Sequence, residues 1–140
     1  PTFDIEDAKE KIKESLDLIF SYHKNKIYKI VSVMTNEGIP KLAYDIGKEY
    51  SFTTIGYASN AIYRGKYGVY QVDEVNIVGK KYGDECNELI NNIDCLIRIG
   101  GGYQSNYEVE LFRKKIINNY NIEDINLNHY IIEKEIKWNY

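Results

Sequence analysis

The sequence predicts an α/β fold built on a mainly parallel sheet. Short β-branched runs alternate with stretches whose apolar residues recur every three to four positions, and helices inserted between strands act as crossovers that leave the strands parallel. A mostly apolar run at 96–99 also stops in three glycines, after which a helical pattern restarts.

Residues 4–23 read as an amphipathic helix: Ile5, Ala8, Ile12, Leu16, Ile19 and Phe20 share one face, and the first turn is acidic. Residues 27–33 (IYKIVSV) form a β-branched strand and 34–39 (MTNEGI) a loop. Pro40 suits the first turn of a helix that reaches Tyr50 and buries Leu42, Ala43 and Ile46. The second strand is 51–58 (SFTTIGYA); a long connection over 59–72 follows, punctuated by Gly65 and Gly68, with Arg64 and Lys66 among aromatics. Residues 73–78 (DEVNIV) form the third strand, 79–83 a turn, and Asp84 the N-cap of a short helix carrying Cys86, Leu89 and Ile90. The fourth strand spans 93–99, and the helix after the glycines spans 105–118 with Val109, Phe112 and Ile116 on one face. The tail over 125–138 reads as an edge strand. Right-handed crossovers place helices on both faces of such a sheet, so the expected architecture is a Rossmann-like three-layer sandwich in a single domain over residues 1–140. Ligands bind such sheets at the carboxyl ends of the strands, which makes the loops after Val33, Ala58, Val78 and Ile99 the expected rim.

At 140 residues, one domain buries about 70% of the surface its unfolded chain exposes, enough for a core without metals or disulfides. The 18 basic and 21 acidic residues leave a net charge of −3 with no basic block, so nucleic acid is not an expected partner. No apolar run approaches the roughly 18 residues of a membrane span, and the first residues are charged and polar rather than a secretory leader; a cytoplasmic protein without membrane contact is expected. Cys86 and Cys95 lack CxxC spacing and read as reduced core thiols. His23 and His129 stand apart, so no metal, cofactor or catalytic triad is expected. The 14 tyrosines accompany abundant Ile, Asn and Lys and read as compositional bias.

The chemistry concentrates at the glycines. Gly100, Gly101 and Gly102 carry no Cβ to hold a ligand off the backbone, and the amides at the following helix start attract an anion, most simply phosphate. Tyr103 follows directly; Gln104 and Ser105 offer side-chain hydrogen bonds, and Glu108 can accept from ribose hydroxyls. A purely structural account is also available, because Ser105 and Glu108 match the spacing of a capping box.

The stretch Gly101-Gly102-Tyr103-Gln104-Ser105-Asn106-Tyr107-Glu108 after a strand resembles the PGGxGTxxE signature of the LOG, or "lysine decarboxylase-like", group of the SLOG superfamily. Gly100 stands in the place of the signature's proline and Gln104 in that of its third glycine, and the order of elements over 27–118 fits as well. The resemblance implies phosphate at the glycine turn, Ser105 in the threonine position and Glu108 in that of the ribose-contacting catalytic glutamate. It further implies a nucleotide or sugar-phosphate ligand, a homodimer and, as an alternative to binding alone, hydrolysis of the N-glycosidic bond of nucleoside 5′-monophosphates. A non-catalytic interaction module whose glycines only turn the chain is the third reading.

Other candidates have two readings each. Arg98, a charge inside an apolar strand, requires a carboxylate, a ligand or solvent. Thr35, Asn36, Glu37 and Gly38 lie in the loop after the first strand, which lines the site in many such sheets. Asp84 and Glu85 suit helix capping or a polar site wall, and Arg64 and Lys66 a solvated basic loop or a clamp over phosphate.

Overall fold

The structure, a computed structural model, describes residues 2–121, 123 and 125–139. In chain order its regular elements are β1 (Thr2–Phe3), α1 (Ile5–Tyr22), β2 (Lys29–Val33), α2 (Gly38–Glu49), β3 (Thr53–Ala58), β4 (Glu74–Ile77), α3 (Cys86–Asn91), β5 (Leu96–Ile99), α4 (Tyr103–Asn119), β6 (Ile131–Lys134) and β7 (Trp138–Asn139). Single 3-10 turns cover Asn60–Arg64 and Leu127–His129. The backbone forms two compact units, one of Ile27–Asn92 and one of Pro1–Lys26 with Ile93–Tyr140.

In the Ile27–Asn92 unit the strands lie in the order β2-β3-β4, all parallel, with Lys29 opposite Thr53 and Ile55 opposite Glu74 at the start of each ladder. Both α2 and α3 pack on β2 and β3. Tyr44 pins α2 down: it is fully buried, and its hydroxyl lies 2.7 Å from the Ser32 carbonyl and 3.1 Å from that of Ile55, donating its proton across the two strands. Its ring stacks on Tyr70 at 4.8 Å, and the Tyr70 hydroxyl donates to Asp45 at 2.6 Å. Burial holds both phenols well above their ordinary pKa, so they remain donors. The connection after β3 is anchored by Asp73, whose carboxylate accepts from the Thr54 amide and hydroxyl at 2.8 and 3.1 Å.

In the other unit β5 and β6 pair in parallel, Leu96 opposite Ile131, while β1 and β7 pair antiparallel. α1 packs on both β5 and β6, and α4 on β5. Asp4 caps α1 by accepting from the Asp7 amide at 3.1 Å. Asp7 is itself buried and accepts from the Lys137 amide at 2.8 Å, while Asp4 N donates to the Lys137 carbonyl, so the chain's end is held to the start of α1.

The chain is therefore α/β with mainly parallel pairing, as expected. Several local expectations are corrected. The first strand begins at Lys29, because Ile27 stands 92% exposed and cannot belong to a covered strand. Ile5 is also mostly exposed; the buried stripe of α1 starts with Asp7 and Ala8. The tail is not one edge strand: its mixed apolar period reflects two strands, β6 beside β5 and β7 beside β1, with Ile131 and Ile132 both buried. Asp84 does not cap α3, whose N-cap is Glu85. Its carboxylate instead accepts from the Lys80 and Lys81 amides, both at 3.0 Å, and closes the 79–83 turn.

Candidate functional site

The glycine turn forms where β5 must stop and α4 begin. Gly100 still pairs with β6, donating to the Lys134 carbonyl at 2.8 Å, but it and Gly101 take positive φ of +58° and +92°. A residue without a Cβ adopts such angles at the least cost. Packing adds to the demand: a Cβ on Gly100 would stand 2.9 Å from Ile136, and one on Gly101 would stand 2.8 Å from the Ser105 Cβ and strike its hydroxyl.

Gly102 is different. It is the N-cap of α4, with φ −135° and ψ −139°, and a Cβ there would meet nothing within 4 Å. The first helical bond runs from Asn106 N to the Gly102 carbonyl at 3.1 Å, so the amides of Tyr103, Gln104 and Ser105 lie ahead of the ladder at the positive end of a 17-residue helix. No acidic residue occupies that first turn. Tyr103 stands 88% exposed at the first helical position.

The capping-box expectation fails here. With Gly102 as the cap, Ser105 is the third helical residue and cannot accept from the helix start as an N-cap does; its hydroxyl lies against Gly101 instead. Glu108, half-buried, lies one turn beyond Gln104 on the same face, with the Gln104 amide donating to it at 3.4 Å. The two side chains thus flank the helix start together.

Arg98 resolves as an ion pair. Its side chain is 13% exposed and donates to Glu133 at 3.2 Å and Glu135 at 2.7 Å, which together hold the guanidinium more firmly protonated than usual. A third donation goes to the Gly100 carbonyl. Arg98 thereby fixes the first peptide of the turn. Glu133 and Glu135 were missed from sequence, because their meaning depends on the β5–β6 register, in which Arg98 faces Glu133.

The loop after β2 belongs to the other compact unit. Thr35 pairs with Val69 in an isolated antiparallel bridge, and Asn36 N donates to the Gly68 carbonyl at 3.4 Å. Glu37 is the N-cap residue of α2 without a side-chain capping bond, and Gly38 is its first residue. Thr35 also lines a cleft of about 370 Å³ with Ile62, Gly65, Lys66, Tyr67, Gly68 and Tyr82. Arg64 donates to Asn60 and to the Lys80 carbonyl, and Glu85 is buried with its carboxylate accepting from Gly83 N at 3.1 Å. Lys80, Lys81 and Tyr82, unassigned from sequence, come from the 79–83 turn; the Lys-Lys pair between Gly79 and Gly83 was the available signal.

Cys86 and Cys95 form no disulfide, and His23 Nε2 lies 2.6 Å from the His129 backbone carbonyl, while the His129 ring stacks on Tyr22. Among the described residues no three His, Cys, Asp or Glu side chains converge on a metal position, and no helix is long and apolar enough to cross a membrane. No protein-family model matches the chain, and no curated protein matches it.

Proposed function

We propose that the chain is a Rossmann-like protein of the SLOG type that binds a nucleotide or phosphoribosyl ligand, with its phosphate at the turn of Gly100, Gly101 and Gly102 and the first turn of α4. The observation that carries this reading is Gly102. Conformation and packing account for Gly100 and Gly101, whereas no neighbour crowds the third glycine; what it leaves is open space at the positive end of a long helix. Tyr103 adds an exposed ring at the same end, suited to stack on a base. The three-layer sandwich belongs to the same proposal, supported by the strand–helix alternation and by parallel pairing within β2-β3-β4 and within β5-β6.

The test is a thermal-shift panel of nucleoside mono- and diphosphates and sugar phosphates. A ligand at a hundred times its dissociation constant stabilises the fold by about 2.7 kcal/mol, a shift of several degrees. A panel without any shift refutes the proposal. Native mass spectrometry of the purified chain reports both a retained nucleotide and the dimer that this reading includes.

Half-burial of Glu108 beside Gln104 favours a second reading, N-glycosidic hydrolysis of a nucleoside 5′-monophosphate with Glu108 stabilising positive charge that develops on the ribose. Release of free base, abolished in Glu108→Ala, is the expected result. Undiminished release from that variant removes Glu108 from the role, and no release from any monophosphate removes the reaction.

A further inference from the structure

The Ile27–Asn92 unit carries a second concentration of charge that the glycine-turn reading does not use. The 3-10 turn after β3, the loop behind it and the 79–83 turn border two adjoining open clefts. One, of about 380 Å³, is lined by Ala61, Arg64, Gly65, Lys80, Lys81 and Tyr82. The other, of about 370 Å³, carries Thr35, Lys66 and Tyr67, and it shares Gly65 and Tyr82 with the first. The pair therefore makes one groove with Tyr82 as the ridge between its lobes.

The ridge is built rather than incidental. The Tyr82 hydroxyl donates to the Ala61 carbonyl at 3.1 Å, and the ring lies so close over Gly65 that a Cβ there would stand 2.5 Å from the hydroxyl oxygen. The cations also have no direct ion pair. Arg64 donates only to neutral oxygens, of Asn60 at 3.3 Å and Lys80 at 3.4 Å. Lys66 lies over the Tyr67 ring at 4.9 Å. Among the described residues no carboxylate pairs within 4.0 Å with Arg64, Lys66, Lys80 or Lys81. The neighbouring Asp84 carboxylate is turned to the Lys80 and Lys81 amides, whose hydrogen bonds, with a smaller contribution from the Lys81 charge, hold it below the usual carboxylate range. In a chain of net charge −3, four cations gathered on one groove with no carboxylate in a direct ion pair with them are complementary to a strongly anionic guest.

We infer that this groove binds a linear phosphate chain, with Arg64, Lys80 and Lys81 on one side of Tyr82 and Lys66 on the other. A fork of guanidinium donors takes two oxygens of one phosphate, and ammonium groups act as point charges on the next. Two lobes across a ridge suit several linked phosphates better than one. The exposed rings of Tyr67 and Tyr82 leave room for a base as well, so inorganic polyphosphate and a nucleoside triphosphate share the recognised chemistry. The inference does not rest on phosphate at the glycine turn.

The experiment titrates the full chain with tripolyphosphate by calorimetry and maps the contact by amide chemical shifts. The expected result is binding that weakens steeply with added salt, with shifts concentrated at residues 61–68 and 79–84, and an affinity at least roughly tenfold lower in the Arg64→Gln/Lys80→Gln/Lys81→Gln variant. These side chains are exposed and support no core contact, and the variant's amide spectrum verifies its fold. Tighter binding of adenosine triphosphate than of tripolyphosphate identifies the nucleotide as the source, and equal binding the inorganic chain. No binding, unchanged affinity in the triple variant, or shifts confined to residues 100–106 overturns the inference. Shifts confined to residues 100–106 would leave the glycine-turn proposal standing alone.

Discussion

Gly101→Ala separates a turn that the fold needs from one that a ligand needs. At φ +92° an L-residue pays at least the left-handed penalty, roughly 1–2 kcal/mol. The new Cβ also stands 2.8 Å from the Ser105 Cβ, and this second contact cannot be relieved by a rotamer change because that Cβ is fixed to the helix backbone. Moving the Ser105 hydroxyl off its rotamer and shifting the start of α4 adds about 0.5–1.5 kcal/mol. The total is a loss of about 1.5–3.5 kcal/mol, roughly 5–12 °C in melting temperature for a chain of this length. Gly102→Ala is the control. Its Cβ meets nothing, so Gly102→Ala introduces no clash and its loss is the smaller of the two. Urea unfolding followed by circular dichroism gives both values at constant m. Equal stability of Gly101→Ala and wild type, or an equal loss in the two variants, refutes the reasoning.

Three further outcomes follow from the same contacts. The Ser59 hydroxyl is buried without a hydrogen-bond partner, so Ser59→Ala removes an unsatisfied group and leaves stability unchanged or raises it by about 0.5–1 kcal/mol; a loss above about 1 kcal/mol in urea contradicts this. Hydrogen bonds from Thr54 and from the 80–81 amides hold Asp73 and Asp84 below the ordinary value of 3.8, so the stability they contribute is complete above that value and disappears as the pH falls through their lowered folded-state values. Denaturation midpoints measured down the acid limb should fall less steeply in the Asp73→Asn/Asp84→Asn variant than in wild type. Burial, with Asp94 close by, pushes the Cys95 thiol up to about 11; its alkylation by iodoacetamide should accelerate with pH up to that value, whereas modification at pH ~8 as fast as that of a free cysteine would contradict the burial.

The elements were legible where one periodicity ran without interruption. The face of Ala8, Ile12, Leu16 and Ile19, and that of Val109, Phe112 and Ile116, needed only helical spacing. Tyr44 was not legible as the anchor of α2, since a tyrosine reads as a surface residue until two strand carbonyls converge on its hydroxyl. The tail misled because two short strands with different partners blur into one mixed pattern. The candidate site was legible in its glycines and in the need of Arg98 for a counter-charge, but not in which carboxylates answer it; Glu133 and Glu135 lie some thirty-five residues on and are selected by strand register alone. The capping box failed for a local reason: the helix starts two residues early, at Tyr103, and its cap falls on Gly102.

That shift changes what the three glycines mean. A capping box would have used the Ser105 and Glu108 side chains to satisfy the amides at the helix start, leaving little for a ligand to do. With Gly102 as cap, no side chain of the cap residue reaches those amides, and Ser105 lies against Gly101. Meanwhile Arg98 and the β6 register fix the entry to the turn from the strand side. On the proposed reading, a rigid entry, an open cap and a helix start without acidic residues together serve as a preorganised anion seat, and preorganisation is what lowers the cost of binding. If Arg98 acts in this way, Arg98→Met weakens phosphate binding even though the side chain touches no ligand, whereas Glu135→Gln, which leaves Arg98 its Glu133 and Gly100 partners, weakens it far less.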